Sequence, residues 1–432
     1  MEPAEKKTTD APARSDRRVA GRDRRVACAT PSRGRSPSRN SRHLSVNQNN
    51  LLPGLVTRHN PTVRPTFPAF PEAKIISQAG RTFHVSWNGQ AEDAAWDDFL
   101  LTLPDAHHEQ TSLWGSVRAL LGWTVVRVVL REDGEIIGGA QVQLQAIQRV
   151  GRWAYITFGP CSTGNDPGVG KILMTEIKKF LRREHALYLL AQLPYDGEPL
   201  AHQLQGDGFI QAPRALAPGN MRATLVLDLG KTEAQLLAEM RATRRNEIRQ
   251  GLKRGLTVTE GGAGDLNDFW ALMCALCARR KTTPNPSSPD FFHQLWKQFS
   301  PRGWIKVFVA KHEGKTVAAA LAFPFGGWFR VWKVGWAGAC PELRPNQMLW
   351  WTMICQAKNL GCRHFDFVSV ELGESAGPSE FKLGFGGEVK MLPGVYCYFS
   401  NPLVRLAMRG GLARLLDSRQ FVRLAQRVRR GR

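Results

Sequence analysis

The segment Phe381-Lys382-Leu383-Gly384-Phe385-Gly386-Gly387-Glu388 gathers residues able to do chemistry. A lysine between aromatic side chains offers a fixed positive charge, and three glycines let backbone approach a ligand closely. That combination suits a phosphate, or the oxyanion formed when an amine attacks an acyl ester. Lys382, with Phe381 beside it, is therefore the first candidate for a reactive centre. Asp366 ends an apolar strand fifteen residues upstream, and His107 and His108 precede a helix near the start of the folded region. Each could act as a general base, but they rank below Lys382: paired loop histidines are usually exposed, and a strand-end aspartate usually caps a turn.

Two basic clusters could hold anions. Thr243-Arg244-Arg245-Asn246-Glu247-Ile248-Arg249 reads as helix, and the four-residue spacing puts Arg245 and Arg249 on one face. Guanidinium groups grip phosphate bidentately, although a run of arginines can equally be a solvated helix face. Upstream, Gln110, Trp114 and Arg118 recur every fourth residue and form one helical stripe ahead of Gly122-Trp123.

These segments, with Asn346-Gln347-Met348-Leu349-Trp350-Trp351 between them, resemble the Fem family of aminoacyltransferases, relatives of the GNAT acyltransferases that build peptidoglycan cross-bridges. The resemblance runs from about residue 83 to 400. It implies that Lys382 lies at the active site against a substrate phosphate or the reacting carbonyl. It also implies that Arg118 stands where family members carry a lysine for the substrate diphosphate, a change that keeps the charge and alters the geometry. Gln110, Trp114, Arg244, Arg245, Arg249, Asn346 and Asp366 join Arg118 as expected substrate contacts. The implied donor is aminoacyl-tRNA, and the implied acceptor is an amine of a UDP-linked or lipid-linked muramyl peptide. Neither a metal nor a cofactor is expected. In an acyl-CoA GNAT, the loop corresponding to Leu343–Met348 carries glycines that cradle pyrophosphate at a helix N-terminus; they are absent here, which argues against coenzyme A.

The elements that would position these residues repeat. A strand, a tight turn at Asp133-Gly134 and a second strand form a hairpin pattern, and the same pattern returns around Glu313-Gly314, 180 positions later. Each hairpin is followed by a strand, a helix (about 168–184 and 346–360), a buried strand and a Gly-Phe pair. Two copies of one α/β unit explain this, so the expected fold is a tandem pair of GNAT-like domains with mixed central sheets flanked by helices. The expected division is a disordered basic tail over 1–75, a first domain over 76–230, a second over 231–400 and a basic amphipathic C-terminal helix over 401–432. A helix over about 233–253 should open the second domain, and glycines at 251, 255, 261 and 262 argue against a long coiled-coil arm there.

Composition bounds the function. At 432 residues and 43% hydrophobic content, the chain can fill two cores, and a formal charge of +22 points to an anionic partner. Eight scattered cysteines lack the density of a secreted disulfide scaffold, which suggests a cytoplasmic protein. Cys274 and Cys277 form a C-x-x-C inside a helical pattern with no second ligand pair, so core packing is expected rather than zinc. No stretch reaches the roughly 18 to 20 apolar residues of a membrane span. Leucines and arginines at helical spacing after Asn401 suit peripheral contact with anionic lipid, or packing on the second domain. The glycine run 164–170 lacks P-loop spacing, and neither Gly-x-Ser-x-Gly nor His-Glu-x-x-His occurs. Two other functions stay open: N-acylation from acyl-CoA or acyl carrier protein in exopolysaccharide or lipid assembly, and a non-catalytic RNA- or membrane-binding protein.

Overall fold

The computed structural model describes residues 70–418 except 79, 148–150, 218–219 and 372–376. The basic segment up to residue 69 and the C-terminal residues 419–432, including part of the expected amphipathic helix, lie outside the described residues.

In chain order the first strands are β1 (Lys74–Gln78), β2 (Arg81–Asn88), β3 (Thr124–Glu132), β4 (Glu135–Ile147), β5 (Gly151–Ile156), β6 (Cys161–Ser162), β7 (Ala186–Gln192) and β8 (Ile210–Gln211). Then follow β9 (Ala223–Asp228), β10 (Thr257–Glu260), β11 (Lys306–His312), β12 (Lys315–Phe325), β13 (Trp328–Trp336), β14 (His364–Asp366), β15 (Glu388–Met391) and β16 (Val395–Phe399). Both predicted hairpins form. In β3–β4, Glu132 pairs with Glu135 across Asp133-Gly134; in β11–β12, His312 pairs with Lys315 across Glu313-Gly314. All four turn residues have positive φ, the geometry that matches the strand twist and makes glycine the natural second residue.

The two sheets repeat one topology. The first runs β1-β2-β3-β4-β5-β7-β16-β8, with β6 on β4, and the second runs β10-β11-β12-β13-β14-β9-β15. In each, a parallel pair (β5–β7, β13–β14) follows the hairpin. The strand beside that pair is exchanged: β9 lies antiparallel to β14, and β16 lies antiparallel to β7. Residues 76–230 and 231–400 thus each lend one strand to the other's sheet, a long-range pairing that local periodicity does not encode.

Helix Pro167–Arg183 covers the first sheet with Val169, Ile172, Leu173, Ile177, Phe180 and Leu181, the i, i+3, i+4 stripe of a core-facing helix. Helix Pro345–Asn359 does the same for the second sheet. The predicted helix over 233–253 is instead two, Glu233–Glu239 and Ala242–Leu252. Met240 is extended at the break, where Arg245 donates to the carbonyls of Ala238 (3.0 Å) and Met240. Helices Leu266–Arg279 and Pro289–Phe299 cover the second sheet's other face, and no long arm occurs among the described helices. Cys277 is buried in that core and Cys274 half-buried beside it on the same helix.

The two halves are joined through polar contacts that the core encloses. Arg330 on β13 is fully buried; its Nη1 donates to Ala106 O at 3.0 Å, and its guanidinium lies 4.7 Å over Trp328 and 5.5 Å over Tyr195. Its Nε is 3.8 Å from the carboxylate of Asp366, also fully buried. Asp366 accepts from Thr224 Oγ1 (2.5 Å), Tyr195 Oη and the Val368 amide (2.7 Å). Removing one member of a buried pair leaves the other charge uncompensated. Arg330→Met should therefore cost about 3–5 kcal/mol of stability, and adding Asp366→Asn should restore part of the loss, as read from urea unfolding. Equal losses in the single and double variants would contradict this account.

Candidate active site between the two sheets

A cleft of about 880 Å3, partly open to solvent, runs between the halves. The first half contributes His107, His108, Glu109, Trp114, Arg118, Gln143 and Tyr155; the second contributes Phe291, Arg330, Trp332, Lys333 and Val368. Two local devices shape it. The short turn His108–Gln110 leads into helix Ser112–Ala119, where Thr111 caps the Trp114 amide at 3.2 Å. Across the cleft, β13 carries a bulge: Val331 pairs with Ala322 and Lys333 with Leu321, so Trp332 is the extra residue. One inserted residue reverses the alternation, which brings Arg330 and Lys333 to the same face.

Charge in the cleft is unbalanced. Glu109 is the one carboxylate among the described residues lining it, and no described side chain bonds to it or pairs with it within ion-pair distance. Burial pushes its carboxyl up to about 7, while the charges of Arg118, Lys333 and Arg330 pull it the other way. Burial also lowers the Lys333 amine to about 8 and the Arg118 guanidinium to about 10. Arg118 is held by a 2.8 Å bond from Nε to Gln143 Oε1 and by stacking 4.2 Å over Trp123.

His107 and His108 are buried rather than exposed. His107 Nδ1 accepts from the Glu109 amide at 3.2 Å, and His108 is sandwiched between His107 and Phe323. Burial holds both rings well below the usual imidazole range, so they stay neutral. Donor atoms of His107, His108 and Glu109 lie within 4.8 Å of one another, as metal ligands could. The cationic groups facing that trio make it better suited to an anion than to a metal ion.

The sequence-predicted residues are not brought together at one place. Trp114 and Arg118 line the cleft, Trp114 meeting His108, Phe323 and Trp332 edge-on. Gln110, from the same stripe, is fully buried behind it: Oε1 accepts from the Gln141 amide at 2.8 Å and Nε2 donates to Thr157 O, joining β4 to the backbone just beyond β5. Asp366 is spoken for by the contacts at the junction.

Lys382 and Phe381 sit on a short helix, Gly377–Leu383, rather than in a glycine loop. The Lys382 ammonium points inward and donates to the carbonyls of Val368 (2.5 Å) and Ser369 (2.8 Å). Both residues have positive φ, 49° and 54°, unusual for a β-branched valine, and Val368 forms part of the cleft wall. Burial lowers the Lys382 amine to about 8, which still leaves it mostly charged at neutral pH. The glycines that follow serve packing. A Cβ on Gly386 would lie 2.9 Å from Glu239 O, and one on Gly387 2.5 Å from Val226 O.

Arg244 is buried beneath this segment, donating to Phe381 O at 2.9 Å and stacking 4.2 Å over Phe381 and 4.7 Å over Phe385. Arg245 caps the preceding helix, and Arg249 is exposed with a 3.4 Å contact to Asn346's namesake on its own helix, Asn246. Arg245 and Arg249 are thus engaged separately. Asn346 is the second residue of helix Pro345–Asn359 and is not among the cleft-lining residues.

Glu109 and Lys333 went unnoticed in the sequence. A signal existed for the latter: Arg330 and Lys333 interrupt the otherwise apolar strand Trp328-Phe-Arg-Val-Trp-Lys-Val-Gly-Trp336, and a cation inside a core strand needs a partner or a purpose. Glu109 lies directly before the Gln110 stripe, where only tertiary structure shows what it faces.

The acetyltransferase (GNAT) domain family matches residues 238–383. Over 276 residues, 60% of this chain and 80% of the relative, the sequence is 24% identical to the UDP-N-acetylmuramoylpentapeptide-lysine N(6)-alanyltransferase of Weissella viridescens. Over 237 residues it is 24% identical to the lipid II:glycine glycyltransferase of Staphylococcus saprophyticus subsp. saprophyticus, covering 53% of this chain and 57% of that relative's length. The crystal structure of FemX shares the fold at a TM-score of 0.65 and 18% identity, over 72% of this chain and 97% of that one. The chain thus carries a GNAT domain match, is similar in sequence to aminoacyltransferases of the Fem type, and shares the tandem fold of FemX.

Proposed function

We propose that this protein transfers an aminoacyl group from aminoacyl-tRNA to an amine of a UDP-linked or lipid-linked muramyl peptide. The observation that carries the reading is the cleft itself, whose lining includes Arg118 from the first half and Lys333 from the second, cations suited to a substrate with a diphosphate. Lys382 would hold the Val368-Ser369 turn in shape and offer its remaining N–H to the reacting carbonyl or a phosphate. Arg244 would act through Phe381, by fixing the helix that carries Lys382.

Two features favour aminoacyl-tRNA over acyl-CoA. In the first half, the amides at the start of helix Pro167–Arg183 are already taken: Asp166 Oδ1 accepts from Gly168 N at 2.7 Å and Val169 N at 3.4 Å. That carboxylate, paired with Arg81 at 2.6 Å and held below its usual pKa range by that bond, occupies the place a pyrophosphate would need. In the second half, the residue before helix Pro345–Asn359 is Arg344 at φ 56°, followed by proline, in place of a glycine cradle.

Attachment to the membrane is the further part of the proposal. No described helix is long and apolar enough to cross a membrane. The helical segment after Asn401 nevertheless leaves Leu403 74%, Leu406 69% and Leu415 57% exposed, on a strongly cationic chain.

Purified protein given charged tRNA and UDP-linked muramyl peptide should form a new amide detectable by mass spectrometry. Lys382→Ala should lower kcat by about 10²–10³, the scale of losing one oxyanion donor; turnover with acyl-CoA and none with charged tRNA would contradict the donor assignment. Vesicles containing anionic phospholipid should retain the protein at low salt, and replacing Leu403, Leu406 and Leu415 by Ser should release it. Equal retention of the triple variant would remove the helix from the membrane contact.

A further inference from the structure

The transfer chemistry needs a group to take a proton from the acceptor. An amine is an ammonium ion at neutral pH, and it must lose that proton before its lone pair can attack the acyl carbon. The residues with acid–base capacity around the cleft can be sorted by what already engages them. Asp366 is fully buried and accepts three hydrogen bonds. His107 receives the Glu109 amide, and the His108 ring is only 1% exposed, stacked face to face on Phe323 at 3.8 Å. Tyr155 donates to Gln192 at 2.8 Å. Lys382 is turned to two carbonyls. Glu109 differs from all of them in having a cleft-facing carboxylate that no described side chain engages.

Its backbone is fixed from both sides. The amide donates to His107 Nδ1, and the carbonyl accepts from Gln141 Nε2 at 3.2 Å, so the side chain projects from a held turn. The groups facing it are Arg118 from helix Ser112–Ala119, Lys333 and Arg330 from β13, Tyr155 from β5, and the neutral His107 and His108 of its own turn. The positive charges of Arg118, Lys333 and Arg330 act on the carboxylate through space, and among the described residues no ion pair ties any of them to it.

We infer that Glu109 is the catalytic base that receives the proton of the attacking amine. The inference rests on the aminoacyl-transfer reading and names its proton acceptor. The acceptor nitrogen passes a proton to a Glu109 carboxylate oxygen and forms the N–C bond at the acyl carbon, giving an oxyanion. The ester C–O bond then breaks, and the ribose oxygen leaves. The nitrogen loses two protons in all: one ends on the departing ribose oxygen, and the other passes through Glu109 to solvent. A carboxyl that titrates near pH 7 is matched to accepting and releasing that proton.

The test is the pH dependence of kcat for the full-length protein, with charged tRNA and UDP-linked muramyl peptide, in wild type, Glu109→Gln and Glu109→Asp. Because the base acts ionised, wild-type kcat should rise with pH through an inflection near 7. Glu109→Gln should lower kcat by about 10²–10⁴, the usual share of general-base catalysis, with KM for the peptide changed far less and the inflection gone. Glu109→Asp should keep an inflection at a shifted pH, which also covers the case of a Glu109→Gln protein that fails to fold. Glu109→Gln activity within about threefold of wild type, or an unchanged inflection in either variant, would overturn the assignment while leaving the transfer reading intact. A wild-type protein with no turnover would overturn both.

Discussion

The buried guanidinium of Arg330 sets the constraint around which the rest is arranged. A charge taken wholly out of water must find acceptors or an opposite charge. Arg330 finds them in two places: the 105–106 carbonyls of the first half and the Asp366 carboxylate of the second. Satisfying it therefore fixes how β13 faces the loop that leads into His107, His108 and Glu109. Three residues further along the same strand, after the bulge at Trp332, Lys333 enters the cleft. The charge that joins the halves and the charge that lines the site are set by one strand.

The reciprocal exchange of β9 and β16 reinforces that junction from the opposite side. Each strand completes the other half's sheet next to the parallel pair, so separating the halves would expose two sheet edges as well as the Arg330–Asp366 pair. The strained Val368-Ser369 turn follows β14 directly, and Lys382 ties it down from a helix that Arg244 in turn supports. The residues that the family resemblance marks most strongly thus form a chain of support ending at the cleft wall. That support stiffens the cleft wall at Val368, in addition to the N–H that Lys382 is proposed to offer a substrate.

Much of the fold was legible because its signals are local. Asp133-Gly134 and Glu313-Gly314 each supply two positive-φ positions between alternating strands, and helices Pro167–Arg183 and Pro345–Asn359 begin within a residue or so of their expected starts. What escaped is non-local. The break at Met240 depends on Arg245 capping the preceding helix, and the strand exchange depends on partners more than a hundred residues away. The same holds at the site. Trp114 and Arg118 both line the cleft from one helix, whereas Gln110 falls in the turn before that helix and is directed into the core. Lys333 reaches the cleft only because a bulge reverses its face, which strict alternation would not reveal.

The central claim is that the space between the sheets receives the acceptor. A crystal structure of the protein bound to a UDP-linked muramyl peptide tests it most directly. The account predicts the diphosphate against Arg118 and Lys333 with the acceptor amine reaching Glu109; a ligand seated instead on the exposed Arg249 face of helix Ala242–Leu252, with the cleft empty, would contradict it.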